Sequence, residues 1–209
     1  MREECEVRKE LDFVIKNFIN FILSAVVCAL VLGCILLDVN TFKGVPEKGF
    51  VEYAQEVLIF MSGSIFLFLA WKKQEAGMWL VGGFLSCMFI RELDVVFDKI
   101  FHGAWAYIAI PFACFCVCKA WREGKEKIIT SLANFMRTQS YTRLSSGLLT
   151  VLVFSRLIGY GPIWKAVMGK KVWMGKTIAE EGTELFGYSI IFLAAIEYAY
   201  YLLNKKEIE

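Results

Sequence analysis

Ionisable side chains interrupt several of the long apolar segments in this 209-residue chain. Each such group costs roughly 2.5–3.5 kcal/mol in a membrane-spanning helix, so most of them are paired or functional. Those that lie deepest in their segments are the candidate catalytic residues, namely Asp94, Glu184, Arg91 and Arg156. Their carboxylates are suited to act as general bases, and their guanidinium groups to hold an anion.

A set rich in carboxylates also predicts a cation site. Its members are Glu56, Asp94, Asp98, His102, Glu180 and Glu184. On a continuous helix Asp94, Asp98 and His102 would stack one turn apart, and Glu180 and Glu184 would share a face. Closely packed carboxylates cannot all stay ionised without compensation, so either some of them bind protons or a cation joins them. A divalent cation is the cofactor that such oxygen ligands favour.

Two arginines are expected to neutralise part of this charge through planar, bidentate ion pairs. The expected pairs are Arg91 with Glu184 or Glu56, and Arg156 with Glu180 or Asp94. The alternative for the outermost carboxylates is that they are solvated residues at helix ends, where acidic groups suit the helix dipole. For the deeper residues the alternative is a set of structural salt bridges.

The elements that position these residues follow from composition. The chain is 57% hydrophobic and only 21% charged, and its apolar residues fall into stretches of about 20, the length that crosses a bilayer. These stretches are Asn17–Leu37, Val51–Trp71, Met78–Asp98, Ala104–Ala120, Leu144–Tyr160 and Ile178–Leu203. The predicted fold is therefore all-α, a polytopic integral membrane bundle of six transmembrane helices.

One further segment predicts a cytoplasmic amphipathic helix on the membrane surface. Between Lys125 and Arg137 the apolar residues recur at helical spacing and basic residues surround them. The predicted organisation is a cytoplasmic tail over 1–16, one six-helix domain over 17–203 that includes the amphipathic connection 121–143, and a C-terminal tail over 204–209.

The distribution of basic residues predicts the orientation. The tails and the loops on their side hold twice as many Lys and Arg residues as the opposite loops, which places both termini in the cytoplasm. We therefore expect a multi-pass protein of a bacterial-type inner membrane. In that topology the ionisable groups of four segments converge in the outer half of the bilayer.

Several functional classes are excluded, and three remain open. This composition is not that of a soluble enzyme or a disordered chain, and a net charge of +2 with loop-clustered basic residues disfavours nucleic-acid binding. The first open class is transport or channel-like activity with a cation or protons. The second is a membrane enzyme that acts on a lipid or lipid-linked substrate through carboxylates and a metal. The third is an assembly or sensor subunit. The expected partners are the lipid bilayer and either a second copy of the chain or a membrane-complex subunit.

Overall fold

The computed structural model describes residues 2–46, 48–99, 101–169 and 172–204, and its regular structure there is entirely helical. The helices are α1 (Arg2–Phe42), α2 (Phe50–Lys73), α3 (Ala76–Glu92), α4 (Asp94–Phe97), α5 (Ala104–Glu123), α6 (Lys125–Met136), α7 (Gln139–Leu149), α8 (Ser155–Ile158), α9 (Gly161–Met168) and α10 (Val172–Asn204). A π-helical turn, Thr150–Phe154, joins α7 to α8. Apart from Asn204, the predicted tail over 204–209 lies outside the described residues.

The long helices form a row in which α10 and α2 are central. Helix α2 packs between α3 and α10, while α5 covers the far side of α3 and α7 covers the far side of α10. Helix α1 contacts α2 and α10 mainly through the segment from Val27 to Asp38. The core contains large side chains excluded from solvent, such as Phe66, Leu85 and Tyr188.

Small residues let the helices approach closely. A methyl group at Gly147 of α7 would lie 2.9 Å from the Gly187 carbonyl oxygen of α10, and one at Gly187 would lie 3.1 Å from the Gly147 carbonyl oxygen. Such glycine contacts are typical of membrane helices, which associate by backbone packing because lipid provides no hydrophobic drive between them. This contact brings the α7–α8 segment against α10, where the candidate site lies.

Four helices of the described chain are long and apolar enough to cross a membrane: Glu10–Phe42 within α1, α2, α5 and α10. Residues Gln139–Ile158 and Gly161–Met168, bent by 47° at the break between them, would make a fifth span. Helix α3 has 17 residues, fewer than the roughly 20 of a standard crossing. The structure thus has four or five candidate spans rather than the six that the sequence predicts.

The predicted third segment, Met78–Asp98, is wrong as a continuous helix. Helix α3 ends at Glu92, and Leu93 adopts a non-helical conformation with φ −83° and ψ 13° before the short helix α4 begins. This break separates Arg91 from Asp94, and α4 ends before His102, so the three residues expected to stack do not lie on one continuous helix. Asp98 and His102 still meet in the loop that follows, 2.8 Å apart.

The predicted amphipathic segment forms α6, but part of its apolar face packs on protein. Phe135 is buried against Phe66 and Tyr198, and Leu132 lies against Gly77 of α3. Other apolar side chains of the helix, such as Ile129, are exposed. Its location on a membrane surface stays a prediction.

Candidate functional site

Arg156 of α8 joins two carboxylates of α10. Its Nη1 lies 3.0 Å from Glu180 Oε1, and its Nη2 lies 2.8 Å from Glu184 Oε1. The predicted pair of Arg156 with Glu180 is confirmed, whereas Asp94 is not its partner. Lys176 lies 3.2 Å from the second oxygen of Glu180, so this carboxylate bridges two cations.

The π-helical turn sets the direction of Arg156. A π turn accommodates one additional residue, which rotates the following side chains by about 100° relative to an uninterrupted α-helix. The next residue, Ser155, is fully buried, and its hydroxyl donates to Val151 O at 2.6 Å and lies 3.1 Å from Glu184 Oε1. Ser155 and Arg156 thus both face α10 immediately after the turn.

A second charged group lies at the end of α3. Arg91 Nη2 is 2.6 Å from Glu92 Oε1, and the Tyr188 hydroxyl of α10 donates to that same oxygen at 2.7 Å. Arg91 therefore forms its direct ion pair with the neighbouring Glu92 and not with Glu184 or Glu56 as predicted, although Glu184 still interacts with it electrostatically. Helix α3 ends at Glu92, and there its carboxylate reaches across to α10.

Helix α2 joins the same region through an amide. Gln55 Nε2 donates to both the carbonyl oxygen and the carboxylate of Glu181, at 3.0 and 3.1 Å, and its side chain is buried. On the next position of α2, Glu56 is close enough to Glu92 to interact electrostatically. Glu92 also interacts in this way with Glu181 and Glu184.

We call this group the carboxylate–arginine cluster. It comprises Glu56, Arg91, Glu92, Arg156, Lys176, Glu180, Glu181 and Glu184. It draws on α2, α3, α8 and α10, and it holds five carboxylates against three basic side chains. The sequence predicts that charged side chains from separate helices come together, and these eight side chains do so at one end of the bundle.

Asp38 of α1 caps the N-terminus of α2, the helix that contributes Gln55 and Glu56 to this region. Its carboxylate accepts hydrogen bonds from the backbone N–H groups of Phe50 and Val51 at 2.7 and 3.0 Å, and it is fully buried. A carboxylate on the first N–H groups satisfies donors that have no partner within the helix. Sequence reasoning missed Asp38 because the predicted first segment stops at Leu37. The available signal was a lone acidic residue directly after an apolar run.

Three predicted ligands lie away from the cluster. Asp98 closes the loop before α5, where its two oxygens meet His102 Nδ1 at 2.8 Å and the Gly103 N–H at 2.9 Å. Asp94 forms no ion pair within the part of the chain that the structure describes. In the same described residues no three His, Cys, Asp or Glu side chains are arranged to hold a metal ion. Within these residues the predicted metal set is therefore not assembled as one site: Glu56, Glu180 and Glu184 belong to the cluster, while Asp98 and His102 bond each other in the loop.

The core between the cluster and the opposite end of the bundle is mainly apolar. Ile59, Leu85 and Ile191 are fully buried in it, and the buried Ser62 and Ser189 hydroxyls donate to backbone carbonyls of their own helices. Beyond it, Glu197 lies 3.3 Å from Arg143, about 20 Å along α10 from Glu184 at 1.5 Å per residue. At its own end the cluster is accessible, because the Arg91 and Arg156 side chains there are 42% and 49% exposed.

No protein-family model matches the chain, and no similar chain was found among curated proteins or solved structures.

Proposed function

We propose that this chain is a membrane transport protein whose carboxylate–arginine cluster binds protons. The observation that carries the proposal is the excess of carboxylates over basic groups around Glu184, whose side chain is only 5% exposed. Excess negative charge in a poorly hydrated site is relieved when a carboxyl group takes up a proton. Intramembrane carboxylates of this kind are typical of proton pathways.

The arrangement of donors favours protons over a metal ion as the bound species. Glu184 faces Ser155 and Arg156, Glu181 faces Gln55, and Glu92 faces Arg91 and Tyr188. Each of these carboxylates is engaged by its own protein donors through one oxygen, and among the described residues no three such side chains are arranged around a common centre as cation ligands would be. A proton needs only one oxygen and no coordination shell.

The one-sided access agrees with a carrier. A carrier exposes its site to one side of the membrane at a time, while packed helices close the other side. In this proposal the mainly apolar core around the buried Ile191 closes the route towards Glu197. Opening that route would require α7 and α8 to move against α10. The π turn that joins α7 to α8 is a place where helices commonly bend.

We further propose six crossings, with both termini in the cytoplasm of a bacterial-type inner membrane. The crossings are α1, α2, α3, α5, α7–α8 and α10, and the short α3 crosses because α2 and α5 cover it on both sides. The excess of basic residues on the side of the termini supports this orientation. Single-cysteine labelling of intact cells at positions Glu126 and Thr177 tests it. Labelling of position 126 by a membrane-impermeant reagent would contradict it.

Proton binding is tested by infrared difference spectroscopy of the full chain in lipid between neutral and acidic pH. A carboxyl group that takes up a proton shows a carbonyl band that its ionised form lacks. We expect such a band in the wild type and its loss in Glu184→Gln, with no change in the matched surface variant Glu126→Gln. An unchanged band in Glu184→Gln would overturn the assignment.

Transport is tested separately in vesicles that contain a pH-sensitive dye. Under an imposed membrane potential, wild-type vesicles are expected to acidify faster than empty ones. Glu184→Gln is expected to lower the rate at least about a hundredfold, the lower end of the effect of one proton-transfer group. Equal rates in wild-type and empty vesicles would overturn proton movement by the chain alone.

A second candidate is an assembly role, and the closure of Arg156 on both Glu180 and Glu184 favours it. Buried ion pairs can specify how helices pack. This candidate predicts that cluster variants change the stability of the fold while the infrared spectrum shows no protonated carboxyl group in the wild type.

A further inference from the structure

A lateral groove runs beside the cluster on the outside of the bundle. Its volume is about 360 Å³, within the range of about 300–1,000 Å³ typical of ligand sites. Its walls come from three elements: Ile35 of α1, Thr150 and Phe154 of the π turn, and Ile178, Gly182 and Phe186 of α10. The walls are mainly apolar, and Phe154 is more than half exposed, so the groove opens towards lipid.

The dimensions of the groove suit an acyl chain. Its wall along α10 extends from Ile178 to Phe186, about 12 Å at 1.5 Å per residue. One hydrocarbon leaflet is about 15 Å thick, half of a bilayer core of about 30 Å. Gly182 forms the floor where α1 crosses, because any side chain there would displace Ile35.

The charge at the cluster end of the groove is arranged in two layers. The outer layer is basic: the side chains of Arg156 and Lys176 are 49% and 36% exposed. The inner layer is acidic: those of Glu180 and Glu184 are 14% and 5% exposed. Glu180 contacts both cations with its two oxygens and directly follows the groove residue Ala179 on α10, and Lys176 lies about one turn before Ala179, so this basic pair is at the cluster end of the groove.

From this juxtaposition we propose that the groove binds one anionic glycerophospholipid, with its phosphate on Arg156 and Lys176 and an acyl chain against Phe154 and Phe186. Guanidinium and ammonium groups are the usual partners of lipid phosphates. The exposed charge is basic, and the carboxylates that would accept an ammonium headgroup lie beneath it. The site therefore selects an anionic headgroup over a zwitterionic one. This inference stands independently of proton binding at Glu184.

The test uses the purified full chain in mild detergent with equal amounts of phosphatidylglycerol and phosphatidylcholine, and native mass spectrometry counts the retained lipids. We expect one phosphatidylglycerol per chain. Lys176→Gln is expected to weaken its retention about fivefold, the effect of one basic group near a lipid phosphate. Lys176→Arg is expected to restore it. Lys165→Gln, the same change on exposed α9, is the matched control and should have no effect.

The acyl-chain part of the site is tested by filling the groove. Ala179→Phe is expected to lower lipid retention at least about tenfold, whereas Ala29→Phe on the exposed face of α1 should leave it unchanged. Thermal unfolding of each variant shows whether the fold is kept. Equal retention of the two lipids, or equal effects of Lys176→Gln and Lys165→Gln, would overturn the proposal even if Ala179→Phe failed to fold.

Discussion

Arg156 and Glu184 form an ion pair of unequal burial. The two groups are 2.8 Å apart, and the arginine side chain is 49% exposed while that of the glutamate is 5% exposed. The energetic consequence of breaking the pair therefore depends on which partner is removed. Loss of Glu184 leaves an arginine that keeps Glu180 as its partner and that solvent or lipid phosphates can reach. Loss of Arg156 leaves a buried carboxylate whose remaining hydrogen-bond donor among the described residues is the Ser155 hydroxyl.

We accordingly expect Arg156→Gln to destabilise the fold more than Glu184→Gln. Removal of one partner from a fully buried pair costs about 3–5 kcal/mol, and the half-exposed arginine reduces this to about 1–3 kcal/mol for Arg156→Gln. The measurement is unfolding of the chain in mixed micelles, with the exposed Arg122→Gln as control. The double variant Arg156→Gln/Glu184→Gln should recover part of the loss. Equal stability of Arg156→Gln and Arg122→Gln would contradict this expectation.

The hydrogen bond from Tyr188 to Glu92 is predicted to stabilise the contact between α10 and α3. Tyr188 is fully buried, and its hydroxyl lies 2.7 Å from a carboxylate oxygen. Hydrogen bonds to charged groups contribute about 1.5–3 kcal/mol, so Tyr188→Phe should lower the free energy of unfolding by about that amount. Tyr200→Phe, at an exposed position on the same helix, provides the control. A loss no greater than that of Tyr200→Phe would show that Glu92 relies on Arg91 alone.

The capping of α2 by Asp38 predicts a non-additive pair of substitutions. Asp38→Ala removes the acceptor for two backbone N–H groups and should cost about 0.5–2 kcal/mol, as for other helix caps. Gly49→Ala should cost a similar amount, because its methyl group would overlap the Asp38 carboxylate. When Asp38 is already alanine, the added methyl meets less obstruction, so the double variant should lose less than the sum. Gly44→Ala, with open space around it, is the control. Strict additivity in thermal unfolding would contradict the contact.

The sequence could predict that these charged residues come together, because the hydropathy pattern determines where each apolar segment begins and ends. It therefore also determines which residues lie at the same end of a helical hairpin. Glu180 and Glu184 at the start of the last segment and Arg156 near the end of the fifth must lie at the same end whatever the packing. Individual partners were harder to predict, since they depend on rotation about each helix axis. The π turn rotates Arg156, and no pattern in Thr150–Phe154 indicates such a turn.

The prediction of one continuous helix through Asp94 was wrong for a different reason. Hydropathy continues through Leu93, Val95 and Val96, so the sequence favours one long helix there. The backbone instead breaks at Leu93, and Glu92 becomes the residue that meets Tyr188. Helix breaks without proline or glycine arise from tertiary packing, which a single sequence does not display.

The loop before α5 yields a prediction about pH. The Gly103 N–H and the His102 side chain both bond the carboxylate of Asp98, and these bonds lower the pKa of Asp98 below its ordinary value of about 3.9. A lowered pKa in the folded state stabilises the loop above the ordinary value, and this contribution is lost as the pH falls through the folded pKa. Because the Gly103 N–H is the larger cause, His102→Ala should raise the pKa of Asp98 only part of the way back. Carbon-detected NMR titration of the Asp98 carboxyl group in micelles measures both values, and Asp98→Asn identifies the resonance. A wild-type pKa at or above about 3.9 would show that the loop does not close on this carboxylate.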